Sequence, residues 1–359
     1  MNTQIPKISK GTKEHYMRSR HEILFGIYDH IVQSQHAQAK IALEVLKKEE
    51  LYNHLEYHQK LILTLLHFQN HNIMLDNFAW IMKRLYHRDL PETFFKYELN
   101  LWPRVCGAYI QAPFIQEIED LYAYITNHAE YIHTTHTRIK RLKHGTLDEK
   151  SSKIHTLLQS GNYSEIKAIA LNEVKDIDGL KHFFTNVIDP IMVKVGLDWE
   201  EGIITVAKEH MISAQVGDLM VELFATFSPV ETICANLPTI LVATAPRELH
   251  ALGAKTISKM LEYHGFKSAY LGSDLSQDEI YNAVMEMRPD VLVLSVTLEV
   301  HVIEVQSLIA RLKSPSRMFR GAIIVGGNAF VNLSDIGSEL GVDGICNTPE
   351  SLLEKLRQL

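Results

Sequence analysis

The sequence predicts an α/β fold joined to an all-α part. A C-terminal flavodoxin-like, doubly wound, five-stranded parallel sheet follows a four-helix bundle and an N-terminal helical domain. Three observations predict it. From residue 238 onward, short apolar runs alternate with helical stretches. Before residue 228, apolar residues recur every three and four positions, without strand alternation. Between two helical regions lies the charged, turn-rich stretch "RIKRLKHGTLDEKSSK" (138–153), where a linker is expected near 143–152. The expected domains are 1–145, 153–228 and 237–359.

The N-terminal region reads as helix throughout. "HEILFGIYDHIV" and "LEYHQKLILTLLHF" carry the helical period, and "DNFAWIMKRLYH" does so after Asp76, which is expected to cap it. "QEIEDLYAYITNHAEYIHTTHTRIKRL" is a long amphipathic stretch. "LNLWPRVCGAYIQAPF" (99–114), aromatic and interrupted by proline, reads as a docking loop or a partner surface. In the second region, "SSKIHTLLQSGNYSEIKAIALNEV" gives two short helices around a Gly-Asn turn, and two longer stretches complete a small antiparallel bundle. In the third, "TILVATA", "KSAYLG", "DVLVLSVT", "GAIIVGG" and "DGICN" are the strands of a βαβ series. Right-handed crossovers and the order 2-1-3-4-5 follow.

Composition bounds the function. Hydrophobic residues are 46% of the 359, charged residues 22%, and the net charge is -7, which argues against a generic nucleic-acid binder. Cys106, Cys234 and Cys346 form neither a metal-cage spacing nor a disulfide framework. The first residues lack the apolar stretch of a signal peptide and no run is long enough to span a bilayer, so a cytoplasmic protein is expected, without membrane contact.

In a sheet of this order, ligands bind at the carboxyl ends of the strands, near the switch point. The first strand ends in "PRELHALG" (246–253), with Glu248, His250 and Gly253. The third ends at Ser295 and Thr297, the fourth at Gly326 and Gly327. Three segments therefore converge on one edge. Glycines there let backbone approach a bulky ligand. His250 offers a nitrogen to a metal while its other nitrogen needs an orienting partner. A lone histidine holds a bare zinc ion poorly, but can supply an axial ligand to a metal enclosed in a macrocycle. A receiver domain would want paired acids after the first strand, and "ATAPRE" lacks them. A Gly-x-Gly-x-x-Gly nucleotide loop is also missing.

"ELHALG", then 41 residues, "SVT", 28 residues, and "GG" resemble the cobalamin-binding module family, whose pattern is Asp-x-His-x-x-Gly, Ser-x-Leu and Gly-Gly. The resemblance covers about 120 residues. It implies cobalamin as cofactor, with His250 as lower cobalt ligand in place of the dimethylbenzimidazole tail. Gly253, Ser295, Gly326 and Gly327 would line the channel for that tail. Glu248 stands where Asp is commoner, and Thr297 replaces Leu.

"VGLDWEEGIITVAKEHM" (195–211) sets Trp199 ten residues before Glu209, with His210 next. It resembles the Trp-x9-Glu-His motif of the adenosylcobalamin-dependent photoreceptors that regulate carotenoid synthesis. The resemblance implies that the bundle caps the upper corrin face and that the cofactor is adenosylcobalamin. Trp199 would wall the adenosyl group, Glu209 would accept from ribose hydroxyls, and His210 would assist proton movement. Those photoreceptors often carry histidine directly after the tryptophan; here it is Glu200. They also begin with a winged-helix domain. Residues 1–140 show no helix-turn-helix with a basic recognition helix, so direct DNA binding is not expected.

Thirteen of the nineteen histidines precede residue 150. His54/His58 and His67/His71 have the i,i+4 spacing of a chelate, but no acidic or Cys partner is evident, and packed or exposed helix histidines are expected. The expected function is a cobalamin-binding light sensor that acts through conformation or assembly, with a protein partner or self-association through the N-terminal domain. The alternative is a corrinoid carrier of a methyltransferase system. No catalytic residue is assigned.

Overall fold

The structure is a computed structural model that describes residues 6–86, 89–128, 147–227, 236–315, 318–331, 333 and 336–359. The chain divides into two compact units, one of 1–145 with 200–203, the other of 146–199 with 204–359.

The first unit is helical: α1 Lys10–Arg18, α2 Arg20–Gln33, α3 Ala37–Val45, α4 Lys48–Phe68, α5 His71–Tyr86, α6 Glu92–Cys106, and α7 over 114–128. The longest, α4, buries Leu51, His54, Leu55, His58, Leu61, Ile62 and Leu65, a stripe at spacings of three and four. It packs against α1, α2, α3 and α5. Two expectations are corrected here. α5 begins at His71, so Asp76 lies inside the helix and does not cap it. The stretch expected to be a docking loop is mostly helix: Leu99, Leu101, Trp102 and Cys106 of α6 are buried in their own unit's core. Pro103 lies in the last turn and has no N–H to return to the Leu99 carbonyl, so the helix forgoes that bond near its end. The rest of the long amphipathic stretch, beyond residue 128, lies outside the described residues, as does Cys234.

The second unit opens with the bundle. α8 (Glu149–Ser160) starts inside the span expected as linker, because Asp148 caps it by accepting from the Ser151 N–H at 2.7 Å. Gly161, at φ 74°, ends α8, and Asn162 caps α9 (Tyr163–Glu173). α10 (Ile177–Phe183) runs through a π-helical turn, Phe184–Ile188, into α11 (Asp189–Glu200). Pro190 explains that turn: it has no N–H to return to residue 186, and the wider turn accommodates the loss. α12 (Val206–Phe227) is the fourth rod.

The sheet follows: β1 Thr239–Thr244, α13 Leu252–Tyr263, β2 Lys267–Tyr270, α14 Gln277–Met287, β3 Val291–Ser295, α15 Val302–Leu312, β4 Ala322–Gly326, α16 Gly337–Leu340, β5 Gly344–Ile345 and α17 Pro349–Leu356. The order is β2-β1-β3-β4-β5, all parallel, as the sequence predicts. The central strands are buried on both faces, which is why they read as unbroken apolar runs. Thr244 pairs with Ser295 and Ser295 with Gly326, so three strand ends stand level at one edge. α12 packs on α13, and Leu219, Met220 and Leu223 share one core with Ala254, Leu261 and Val242. No helix among the described residues is long and apolar enough to cross a membrane.

Candidate functional site

The loop after β1 is a tight turn closed by Glu248 N–H donating to the Ala245 carbonyl at 3.1 Å. It turns the Glu248 side chain inward, to 1% exposure. A buried carboxylate needs partners, and each oxygen has its own. Oε1 accepts from the His250 ring Nδ1–H and from the His250 backbone N–H at 3.3 Å. Oε2 accepts from the N–H groups of Thr297 and Leu298, both at 3.2 Å. Glu248 therefore ties the loop after β1 to the loop after β3.

The electrostatics follow from that network. Burial pushes the Glu248 carboxyl up, but the hydrogen bond from His250, the charges of His250 and His301, and the Leu298 N–H outweigh it and hold it below the usual range. The hydrogen bond to Glu248 raises His250, burial opposes it, and the charges of Glu248 and of Glu209 on α12 add to the rise. Glu209, a bundle residue, is thus within electrostatic reach of His250. With Nδ1–H committed to the carboxylate, Nε2 is the nitrogen left for a metal.

The glycines have different reasons. A Cβ on Gly253 would meet one heavy atom within 4 Å among the described residues, Ser295 Oγ at 3.7 Å, so the gap between the two loops is open there. Gly326 and Gly327, expected to line a ligand's path, are also demanded by neighbouring backbone. A Cβ on Gly326 would lie 2.1 Å from the Cys346 carbonyl oxygen, and one on Gly327 would lie 2.4 Å from that of Val296. Gly327 also has φ 111°. Their lack of side chains still leaves the edge smooth.

On the bundle, Trp199 is half-buried in the last turn of α11. Glu209 and His210 lie in the first turns of α12. Glu209 accepts from Ser213 Oγ at 2.5 Å and from His210 Nδ1 at 2.6 Å, which fixes its carboxylate, while His210 is exposed. One neighbour was not legible beforehand. His301 is buried with Nε2 3.9 Å from Glu248 Oε2, and its Nδ1 lies 3.4 Å from Glu304. A short 3₁₀ turn, Glu299–His301, folds it back under the loop, and nothing in the sequence spacing announces that turn.

A B12 binding domain model matches residues 238–357, and a second B12 binding domain model matches residues 152–223. Residues 152–223 and 238–357 are thus B12 binding domains, as the spaced motifs imply. Over 130 residues the chain is 28% identical to the HTH-type transcriptional repressor CarH of Myxococcus xanthus, covering 36% of this chain and 42% of that protein. The chain thus spans about two fifths of the length of that curated relative. Among solved structures, the monomethylamine corrinoid protein of Methanosarcina barkeri is 18% identical, with TM-score 0.46, covering 58% of this chain and 97% of the other. The methanol:cobalamin methyltransferase complex MtaBC of the same organism is 15% identical, with TM-score 0.30, covering 59% of this chain and 78% of the other.

The cobalamin-binding module has residues that fit its cofactor. An imidazole with one nitrogen held by a buried carboxylate is the donor set an enclosed cobalt needs. The open gap at Gly253 and Ser295 suits a slender ligand tail. The i,i+4 pair His54/His58 does not compete for metal: both are buried on Glu98 of α6, His54 at 2.7 Å and His58 at 2.6 Å. Trp102 donates to the same carboxylate at 3.3 Å. No group of three or more ligating side chains able to hold a metal ion occurs among the described residues. The side chain of His71 lies outside the described residues.

Proposed function

We propose that this protein is a light-responsive regulator that uses adenosylcobalamin. His250 is the lower cobalt ligand, Glu248 its orienting partner, and the edge formed by Gly253, Ser295, Thr297, Gly326 and Gly327 carries the displaced tail. Trp199, Glu209 and His210 meet the upper ligand. The observation that carries the adenosyl assignment is Glu209: its carboxylate is fixed by Ser213 and His210 and lies within electrostatic reach of His250. A fixed acceptor suits ribose hydroxyls, whereas a methyl group offers it no donor. The likeness to the repressor CarH supports a regulatory role.

Bound adenosylcobalamin supplies a cobalt–carbon bond that light breaks. The chain's own residues do the rest. Glu248 holds His250 in one tautomer, Trp199 shields the ring from water, and Glu209 binds the adenosyl ribose. Without a ribose to bind, Glu209 would keep only the partners Ser213 and His210, which would change what α12 holds. The output passes to a protein partner or to self-association through the N-terminal helical unit, without direct DNA contact. A switch of this kind needs the cofactor to favour one arrangement over the other.

The test is the mass in solution of the full chain loaded with adenosylcobalamin in the dark, measured before and after green light. A light-dependent change in mass or shape that Glu209→Gln weakens supports the reading. An unchanged particle, together with methyl exchange between bound cobalt and an added methyltransferase, would favour a corrinoid carrier.

A further inference from the structure

Arg247 occupies a backbone conformation that arginine rarely adopts. It has φ 61° and follows Pro246 in the turn closed by the Glu248 N–H. Proline second and positive φ third is the type II pattern, whose third position favours glycine because an L side chain crowds the backbone there. Backbone contacts fix the turn: Arg247 N–H donates to the Leu275 carbonyl at 2.8 Å, and Asp274 N–H to that of Glu248 at 2.9 Å. Asp274 is itself at φ 57°. None of these bonds uses the arginine side chain.

The side chain has little to hold it for the fold's sake. It is 58% exposed, and its guanidinium stands 3.9 Å from the equally exposed Asp274, a pair of the weak, solvated kind. Glu279 on α14 is near enough to feel its charge, as a small contribution. A strained residue beside a binding loop points to a role for its side chain there. Its place says which part of the ligand it meets. The loop bonds of Arg247 run to the β2 side of β1, while Gly253, Ser295, Gly326 and Gly327 lie toward β3 and β4.

We propose that Arg247 is a positioning residue that clamps the rim of the corrin ring, donating to the acetamide and propionamide carbonyls that fringe it. The guanidinium suits them: five N–H donors in a fixed plane, on a side chain free to reach outward. This rests on the cobalamin reading, and the tail channel plays no part in it.

The test uses the full chain in the dark, titrated with adenosylcobalamin and with adenosylcobinamide, which lacks the nucleotide tail. Arg247→Gly is expected to weaken both ligands about tenfold, the loss of one charged hydrogen-bonding group. The apo protein should melt no lower, and up to about 2 °C higher, since the turn relaxes. Arg247→Lys should recover part of the affinity. Unchanged affinity in Arg247→Gly, a loss confined to adenosylcobalamin, or a lower melting point of the apo protein would each overturn the clamp. His250→Ala separates the two claims. If that variant leaves the bound spectrum unchanged, the cobalt-ligand reading fails; if it alters the spectrum while Arg247→Gly changes nothing, only the clamp fails.

Discussion

At the scale of single residues, His250 and Glu248 act as one unit. The imidazole is half-exposed, the carboxylate is buried, and the bond between them decides which nitrogen is left for a metal. His250→Ala should therefore remove the nitrogen-ligated signature from the electron paramagnetic resonance spectrum of bound cob(II)alamin. Glu248→Gln should keep the ligand but loosen it, weakening cobalamin affinity by about 10- to 100-fold, the usual cost of losing a ligand's orienting partner. Titration of each variant with hydroxocobalamin reads both effects. The sequence marks His250 as the candidate ligand because ligand chemistry narrows the residue type and three spaced motifs define its surroundings. It left His301 and Arg247 unread. His301 reaches Glu248 only through the turn Glu299–His301, and the strain of Arg247 is a dihedral angle, which no residue type states.

At the scale of elements, the sheet edge and the N-terminal helices make separate demands. The Cys346 and Val296 carbonyls press against Gly326 and Gly327, so Gly326→Ala should cost about 2–3 kcal/mol by overpacking. Urea denaturation of the apo protein measures it. In the first unit, α4 and α6 meet through Glu98, which carries His54, His58 and Trp102 and is fully buried. Burial lowers His58, and the charge of Glu98 only partly restores it. The folded His58 therefore binds a proton less readily than the unfolded one. Stability is fully present above the unfolded value near 6.5 and falls as pH drops below it, by up to about 1.4 kcal/mol per pH unit. Melting of the full chain between pH 7 and 5 should show this loss, and His58→Gln should flatten it. The strands were legible because both-faces burial writes apolar runs, and the helices because their buried stripes keep a period. Glu98 was not, since it meets His58 across 40 residues of chain. Asp76 misled for a related reason: a residue type that favours caps also sits inside helices when packing extends the turn before it.

At the scale of the whole molecule, a bundle and a sheet domain share one core and bring α12 to the strand ends, while a separate helical unit precedes them. On the proposed reading, a cofactor held between His250 on a loop and Glu209 on a helix would link the sheet edge to α12, which packs on α13. On the proposed reading, the residue after Trp199 is Glu200 and supplies no histidine to trap cobalt, so the lit state should be capped by water or His210. The visible spectrum of the purified chain, loaded with adenosylcobalamin in the dark and followed through a pulse of green light, tests the central claim most directly. Tight binding and rapid conversion to a new, stable, protein-specific spectrum are expected, slowed or altered in Glu209→Gln. Bound adenosylcobalamin that keeps its spectrum through the pulse, or gives only the spectrum of free aquocobalamin, would contradict it.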